Sequence, residues 1–562
     1  MAVTSLYKSH LIFLNLSFII FLFCIFFYPL PSSNQSISLS SILKRSSPAN
    51  PNDCRALEAF EDSETKCSYL KTNHHCGSNG YLDYLHLFYC IYGDSPILGY
   101  IILFLWLLIL FYFLGSTASQ YFCPSLEGLS RVLNLSPTIA GVTLLSLGNG
   151  APDVFASIVS FAGGNGNSEI GLCSVLGGAF FVSTAVVGVI SICVSNSSSW
   201  NHAMAIDRFS FTRDLCYLLF SLCFLLLILV VGQIHILGSM FCISLYILYV
   251  IMVSTGKCCR KEFEVPLLES IEVEQHQSVE DLHESKEIEA KQSFLNSWVW
   301  SSWFLFLIEL PLFLPRRLTI PVVTEERWSK PFAVASVILS PTLLATLWNS
   351  KTVGVGSEES ITIFLFAGLF GMILGFAAME GTESSHPPKL LLPWLAGGFL
   401  MSVVWSYMVA GELVSLLVSF GHIIGATPSV LGVIVLAWGN SLGDLISNVA
   451  MAVNGGEDGA QIAIAGCYAG PIFNILVGLG MSLFMSSWGS YPEAFVIPED
   501  PFEFVIIGFL VGGLLWALVI LPRKGMKLNW SLGVGLLTIY SFFLCFRLLE
   551  SLDLLKIGVS GP

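Results

Sequence analysis

Charge is what this sequence has least of. Only 11% of its 562 residues are Asp, Glu, Lys or Arg, against 54% hydrophobic residues, 42 of them Phe. So little polar surface cannot cover a water-soluble globule, which excludes that class. Basic residues are outnumbered, 25 Lys and Arg against 39 Asp and Glu, so no basic footprint for nucleic acid is expected. Residues 1–50 are apolar and poor in arginine, which argues against a mitochondrial presequence.

What fills the chain instead is a series of apolar runs of about 17 to 25 residues, enough to cross a bilayer at a rise of about 1.5 Å per residue. They fall at 97–115, 136–162, 170–194, 212–233, 235–254, 331–348, 361–379, 391–411, 427–453, 460–484, 503–521 and 529–548. Lipid leaves only helices or closed barrels, and runs this long are not barrel strands. The expected fold is an all-α polytopic membrane protein.

The N-terminal run from Leu11 follows Lys8 and His10 and has the basic flank and apolar core of a secretory signal, without an A-x-A cleavage site. Residues 1–30 therefore read as a signal peptide or a signal anchor. Residues 31–96 become a luminal or extracellular segment with Cys54, Cys67, Cys76, Cys90 and the sequon Asn34-Gln35-Ser36. An even cysteine set in an oxidising compartment predicts two disulfides, of unassigned pairing, on a glycoprotein. The Glu-rich stretch 255–295 lacks an apolar stripe and reads as a cytosolic linker. The run 297–314, followed by Arg316, Arg317, Arg327 and Lys330, is placed along the cytosolic interface. Two additional spans follow within 331–380.

The polar residues inside the spans form a repeat. "SPTIAGVTLLSLGNGAPDVFAS" (136–157) aligns without a gap on "TPSVLGVIVLAWGNSLGDLISN" (427–448), matching Pro137 to Pro428, Gly148 to Gly439, Asn149 to Asn440 and Asp153 to Asp444. A glycine-rich helix follows each, with Gly178 matching Gly470 and Phe181 matching Phe473. The matches fall on Pro, Gly, Asn and Asp, which membrane helices carry only for cause. Counting spans from a luminal 31–96 puts Lys257, Arg260 and Lys261 in the cytosol and starts the second repeat on the opposite side from the first. Inverted repeats of this kind build secondary transporters, with facing motifs near the midplane.

An ionised aspartate at mid-membrane costs about 2.5 to 3.5 kcal/mol on insertion scales, so two facing ones are expected only where cations offset them. Asn149 with Asp153, and Asn440 with Asp444, lie one helical turn apart and share a face. Gly148, Gly150, Pro152, Gly439 and Gly443 are expected to loosen the helical ladder and free carbonyl oxygens. Carboxylates with amide and backbone oxygens suit a hard cation such as Ca²⁺, and neither motif offers the thiolate or imidazole that zinc or copper prefers.

The paired "GNGAPD" and "GNSLGD" motifs, with "GCYAGPIFN" after the second, resemble the two alpha-repeats of the calcium/cation antiporter superfamily, and in particular its plant-type cation/calcium exchangers. The resemblance extends over about residues 54–548. It implies two inverted five-helix halves, at 97–254 and within 388–562, that exchange Ca²⁺ or related cations against Na⁺, K⁺ or H⁺ by alternating access. It carries the acidic ligands onto Asp153 and Asp444, their amide or hydroxyl neighbours onto Asn149, Asn440 and Ser441, and the ligand of the following helix onto Asn474. Val182 stands where the first repeat should match Asn474, and Gly178 and Gly470 stand where relatives often keep serine, so the coupling stoichiometry does not carry over. The resemblance implies a secondary transporter, not an enzyme, with inorganic cations and membrane lipid as partners, no resident cofactor, and a vacuolar, endoplasmic-reticulum or plasma-membrane location. Two alternatives are an H⁺-coupled K⁺, Na⁺ or Mn²⁺ exchanger with little Ca²⁺ transport and, more remotely, an intramembrane aspartyl protease, whose G-x-G-D signature is absent at Ser441–Asp444.

Overall fold

The computed structural model describes residues 60, 62–72, 80–132, 146–162, 167–196, 206–258, 313–324, 327–352, 358–384, 386–388, 390–454, 459–497 and 500–551. The signal or anchor, Asn34, Cys54, Cys76 and the Glu-rich linker beyond Cys258 lie outside them. In chain order the helices are α1 (Ser63–Thr72), α2 (Pro96–Thr117), α3 (Cys123–Val132), α4 (Ser146–Ala162), α5 (Asn167–Phe180), α6 (Val187–Asn196), α7 (Arg208–Val231) and α8 (Ile236–Cys258). They continue with α9 (Lys330–Thr352), α10 (Glu358–Gly381), α11 (Leu391–Ile424), α12 (Ala437–Asn454), α13 (Gly459–Phe473), α14 (Gly480–Gly489), α15 (Pro501–Arg523) and α16 (Trp530–Ser551). The one sheet among the described residues is a two-stranded ribbon of β1 (Gln233–Ile234) and β2 (Phe495–Val496).

Eleven helices among the described residues are long and apolar enough to cross a membrane. They coincide with the apolar runs read from the sequence, apart from 136–162, of which residues 146–162 are described as α4. The chain is a multi-pass, all-helical membrane protein.

The described chain divides into two units. The first comprises residues up to 112, then 149–249 and 409–562. Its interior is made by α5, α12 and α13, and one stretch, Ser168–Ser195, is 89% buried over its most apolar window, as a helix ringed by other helices must be. Glycines set the spacing there. A β-carbon at Gly432 would meet the Ile170 carbonyl oxygen at 2.6 Å, and one at Gly177 would meet that of Val433 at 2.8 Å, so the segments approach backbone to backbone.

Hydrogen bonds fix the direction of the helices in this unit. At one end β1 pairs antiparallel with β2, Ile497 donates its N–H to the Gly232 carbonyl at 2.9 Å, and Arg547 donates to Ser429 Oγ at 2.6 Å. At the other end Ile206 N–H meets the Met526 carbonyl at 2.9 Å and Asp207 N–H meets Gln461 Oε1 at 2.7 Å. The segment holding α12 starts at the Ser429 end and leads into α13 at the Gln461 end. By contrast, α4 leads into α5, whose Glu169 lies beside Ser429, so α4 and α12 run in opposite directions.

Cys67 and Cys90 form a disulfide that ties α1 to the π-wound segment Leu87–Ile91. The described residues thus account for one of the two expected bridges. Next to it the chain grips α11. Glu412 accepts from Tyr81 N–H at 2.7 Å, Leu82 N–H at 3.1 Å and the Tyr84 hydroxyl at 2.5 Å, while Gly80 N–H donates to Ser415 Oγ at 3.0 Å. Burial and the Glu412 carboxylate together hold the Tyr84 phenol above its ordinary pKa, in its neutral form.

The second unit covers residues 113–148 and 250–408. Its α9 and α10 form a tight hairpin in which Gly371 and Gly375 lie against Ile338. Tyr121, Ile320, Val322 and Met401 make a small core. Arg316 is fully buried beside it, stacked 4.4 Å from the Phe113 ring centroid and donating to Ser116 Oγ at 2.8 Å. Of 297–314 the described residues are Phe313 and Leu314, which open a helical stretch over 313–319.

Candidate functional site

Asp153 sits on α4 with 2% of its surface exposed, inside the first unit. Asn474, which opens a π-wound segment (Asn474–Leu479) directly after α13, donates Nδ2–H to Asp153 Oδ2 at 2.8 Å. Gly150 lets it reach: a β-carbon there would overlap Asn474 Oδ1 and touch the Phe473 ring at 3.0 Å. From α12, Asn440 lies within electrostatic reach of Asp153, and Ser441 faces the same carboxylate across Gly178. A β-carbon at Gly178 would stand 3.3 Å from Ser441 Oγ and 3.5 Å from Asp153 Oδ2.

Asp153, Asn440, Ser441 and Asn474 thus converge from α4, α12 and the end of α13. All four are buried. Five of their polar atoms, Asp153 Oδ1, Asn440 Oδ1 and Nδ2, Ser441 Oγ and Asn474 Oδ1, make no hydrogen bond. Buried polar groups are normally satisfied, because leaving one unpaired costs about 1 to 3 kcal/mol. Four orphaned oxygens on residues that converge in this way have the chemistry to bind a positively charged ligand.

Asp444 is placed differently. It is half-buried, within electrostatic range of Asp153 and of Cys467. Its main-chain carbonyl, not its carboxylate, takes the Asn448 Nδ2–H bond at 2.8 Å. The Asn149 backbone lies in α4, and its side chain is outside the described residues. The repeat leaves an asymmetry here: Asn474 serves Asp153, whereas its counterpart Val182 is a buried apolar residue.

The winding corrects one expectation. Gly439 and Gly443 do not break the ladder, since α12 is α-helical from Ala437 to Asn454; α4 also keeps its winding through Pro152, whose missing N–H still leaves the Gly148 carbonyl without its i+4 donor. Wider winding occurs instead at Phe181–Val186, Leu431–Leu436 and Asn474–Leu479, the first opening at Phe181 and the last directly after its equivalent, Phe473. The glycines act by closeness. Gly439 admits the Phe111 ring and Gly150 admits Asn474. Pattern reading also missed Trp438, which donates to Tyr540 and packs beside Phe181 two residues before Asn440. It missed Glu412 as well, since a single acid in an apolar run carries no spacing signal.

A many-spanned helical chain with a buried oxygen cluster defines a membrane transport protein. The family model described as "Sodium/calcium exchanger protein" matches residues 103–255 and 394–549. The chain is 47% identical to "Cation/calcium exchanger 1" of Arabidopsis thaliana over 97% of its own length and 98% of that protein's, and 47% identical to "Cation/calcium exchanger 2" over 90% and 92%. It is 29% identical to the human "Mitochondrial sodium/calcium exchanger protein" over 90% and 91%. The chain belongs to the sodium/calcium exchanger protein family. Its function is cation antiport across a membrane, and it is a transporter rather than an enzyme.

Proposed function

We propose that the chain exchanges Ca²⁺ or a related divalent cation against Na⁺, K⁺ or H⁺ by alternating access at a single site. Asp153, Asn440, Ser441 and Asn474 contribute oxygens to it, with Asp444 and Asn149 completing the ring. The observation that carries this reading is the set of four buried, unpartnered side-chain oxygens, one of the Asp153 carboxylate and one each of Asn440, Ser441 and Asn474. Ca²⁺ takes six to eight oxygen ligands at about 2.3 to 2.6 Å, and nothing softer than oxygen is offered by these residues. The names of the relatives, cation/calcium and sodium/calcium exchangers, point to the same cargo.

The opposite directions of α4 and α12 support two inverted halves, 97–254 and 388–562, joined by the 255–330 segment and the α9–α10 hairpin. In such an arrangement, rocking of one half against the other exposes a fixed site to each side in turn. Asn474 holds Asp153 in place through its amide, so this carboxylate stays poised for the ion without reorganising. Asp444, lacking an amide opposite it because of Val182, is the carboxylate left for a proton or a monovalent counter-ion. The thinned ligand set favours fewer Na⁺ per cycle than a site with both amides.

Uptake of ⁴⁵Ca²⁺ into vesicles reconstituted with the chain, under imposed Na⁺, K⁺ or H⁺ gradients, tests this. At least one outward gradient should drive Ca²⁺ accumulation. Gradient-driven movement of K⁺ or Na⁺ against H⁺, with no Ca²⁺ flux under any gradient, would replace this reading with a monovalent exchanger.

A further inference from the structure

The chain between α1 and α2 lies outside both repeats, yet it makes polar contacts between helices. Tyr84 is 0% exposed, and its hydroxyl joins two of them: it donates to Glu412 on α11 at 2.5 Å and accepts from Trp106 Nε1–H on α2 at 2.9 Å. Just before it, the N–H groups of Gly80, Tyr81 and Leu82 point at Ser415 Oγ and the Glu412 carboxylate. Glycine is needed for that approach, because a β-carbon at position 80 would stand 2.7 Å from Ser415 Oγ and 2.8 Å from Glu412 Oε2. Residues 80–84 are thus a strap that fastens α2 to α11.

Both fastened helices border the oxygen cluster. Phe111 of α2 packs on Gly439, the neighbour of Asn440. On α11 a β-carbon at Gly411, the neighbour of Glu412, would lie 3.8 Å from Val159 Cγ1 of α4. At about 1.5 Å of rise per residue, Trp106 is about 7.5 Å along α2 from Phe111, and Val159 about 9 Å along α4 from Asp153. The strap therefore crosses from α2 to α11 one to two helical turns from the oxygens, on the side that carries the Cys67–Cys90 bridge.

A carboxylate that is 7% exposed on a membrane-length helix is costly without donors. Three of the donors to Glu412 come from the strap. If the strap lifts, water must take their place, so its release and the entry of water go together. We propose that the Gly80–Tyr84 strap is a gate on that side of the oxygen cluster: fastened, it holds α2 against α11 and keeps the flank of α4 dry, and released, it lets water and ions reach that flank. That the opening serves exchange rests on the function proposed above; the fastening and its release do not.

The test places a reporter thiol, Val159→Cys, in the full chain within oriented vesicles, prepared with either face outward. Its rate of modification by a membrane-impermeant cationic methanethiosulfonate is measured from each face, with the chain lacking the reporter as the blank. Tyr84→Phe keeps the buried ring and removes the hydroxyl that joins the two helices; Trp106→Phe breaks the link to α2 alone. Either change should raise the rate from the strap face about 2- to 10-fold, the factor that one hydrogen bond of ordinary net strength is worth, and leave the rate from the other face unchanged. Unchanged rates in both variants, or an equal rise from both faces, would overturn the gate. In ⁴⁵Ca²⁺ uptake the same variants should lower the KM on the strap face and raise it on the other, because the fraction of chains open to each face sets the apparent affinity there. A KM that moves the same way on both faces would count against the gate. Faster thiol modification in a chain with no gradient-driven Ca²⁺ flux would count against the proposed function and not against the strap.

Discussion

Replacing Gly150 by alanine separates what this glycine does for the helix from what it does for the site. Within α4 an alanine removes glycine's entropic disadvantage and is worth up to about 1 kcal/mol of helix stability. The new methyl overlaps Asn474 Oδ1, the free end of a side chain, and meets the less yielding Phe473 ring at 3.0 Å. The cheapest response is for Asn474 to swing away, and that breaks its bond to Asp153 Oδ2. A hydrogen bond to a charged group contributes about 1.5 to 3 kcal/mol, and every 1.4 kcal/mol is about tenfold in affinity. Gly150→Ala should therefore weaken apparent Ca²⁺ affinity about 10- to 100-fold, with folding little changed. Gly443→Ala and Gly470→Ala serve as controls, since nothing lies within 4 Å of a β-carbon at either position. The assay is initial ⁴⁵Ca²⁺ uptake against Ca²⁺ concentration. A Gly150→Ala exchanger with unchanged KM would refute the contact on which this reasoning rests.

Other consequences are testable on the same preparation. Glu412→Gln leaves one acceptor oxygen for the Tyr81 and Leu82 N–H groups and the Tyr84 hydroxyl, and should lower stability by about 1 to 3 kcal/mol in thermal unfolding. The raised Tyr84 pKa has a definite sign: the neutral phenol favours the folded state, so its contribution is intact below about pH 10, the ordinary tyrosine value, and is lost as pH rises beyond it. Tyr84→Phe should flatten that alkaline decline, and an unchanged pH profile would contradict the assignment. Cys67→Ser should destabilise the chain by about 3 kcal/mol, the scale for closing a short loop, and should leave Cys90 open to thiol reagents without prior reduction. Val182→Asn restores an amide opposite Asp444 and should shift the driving gradient toward Na⁺, read as the ratio of Na⁺-driven to H⁺-driven uptake.

The spans were legible because membrane hydropathy is a local property of the chain: each apolar run from 170–194 onward coincides, to within a few residues at its ends, with a membrane-length helical stretch among the described residues. The cluster was legible for a different reason. Asn, Asp and Gly are so costly or so rare in lipid-facing helices that their recurrence in register pointed to Asn149, Asp153, Asn440 and Asp444 before any contact was visible, whereas Ser441 and Asn474, which align with Gly150 and Val182, came from the resemblance alone. The contacts themselves were not readable. Asn474 meets Asp153 across 321 residues, and only tertiary packing brings them together. The π-wound turns carry no spacing signal, because their Phe, Val, Ile and Leu side chains suit α winding equally well. Glycine's role was ambiguous for the same reason, since the residue that loosens a helix also lets another chain approach it, and only the neighbours of Gly150 and Gly439 decide between the two. Cys67 was visible as one of four cysteines, but its partner is set by the fold of 60–95 and not by the count.

The most direct test of the account is Ca²⁺ flux in Asp153→Asn, Asp444→Asn and the double variant, each verified as folded and inserted. If one shared site binds the transported ion, each single change abolishes gradient-driven ⁴⁵Ca²⁺ uptake and the double variant is no worse, because either loss already destroys the site. Full Ca²⁺ flux in Asp153→Asn, the carboxylate that supplies one of the four unpartnered oxygens, would contradict it.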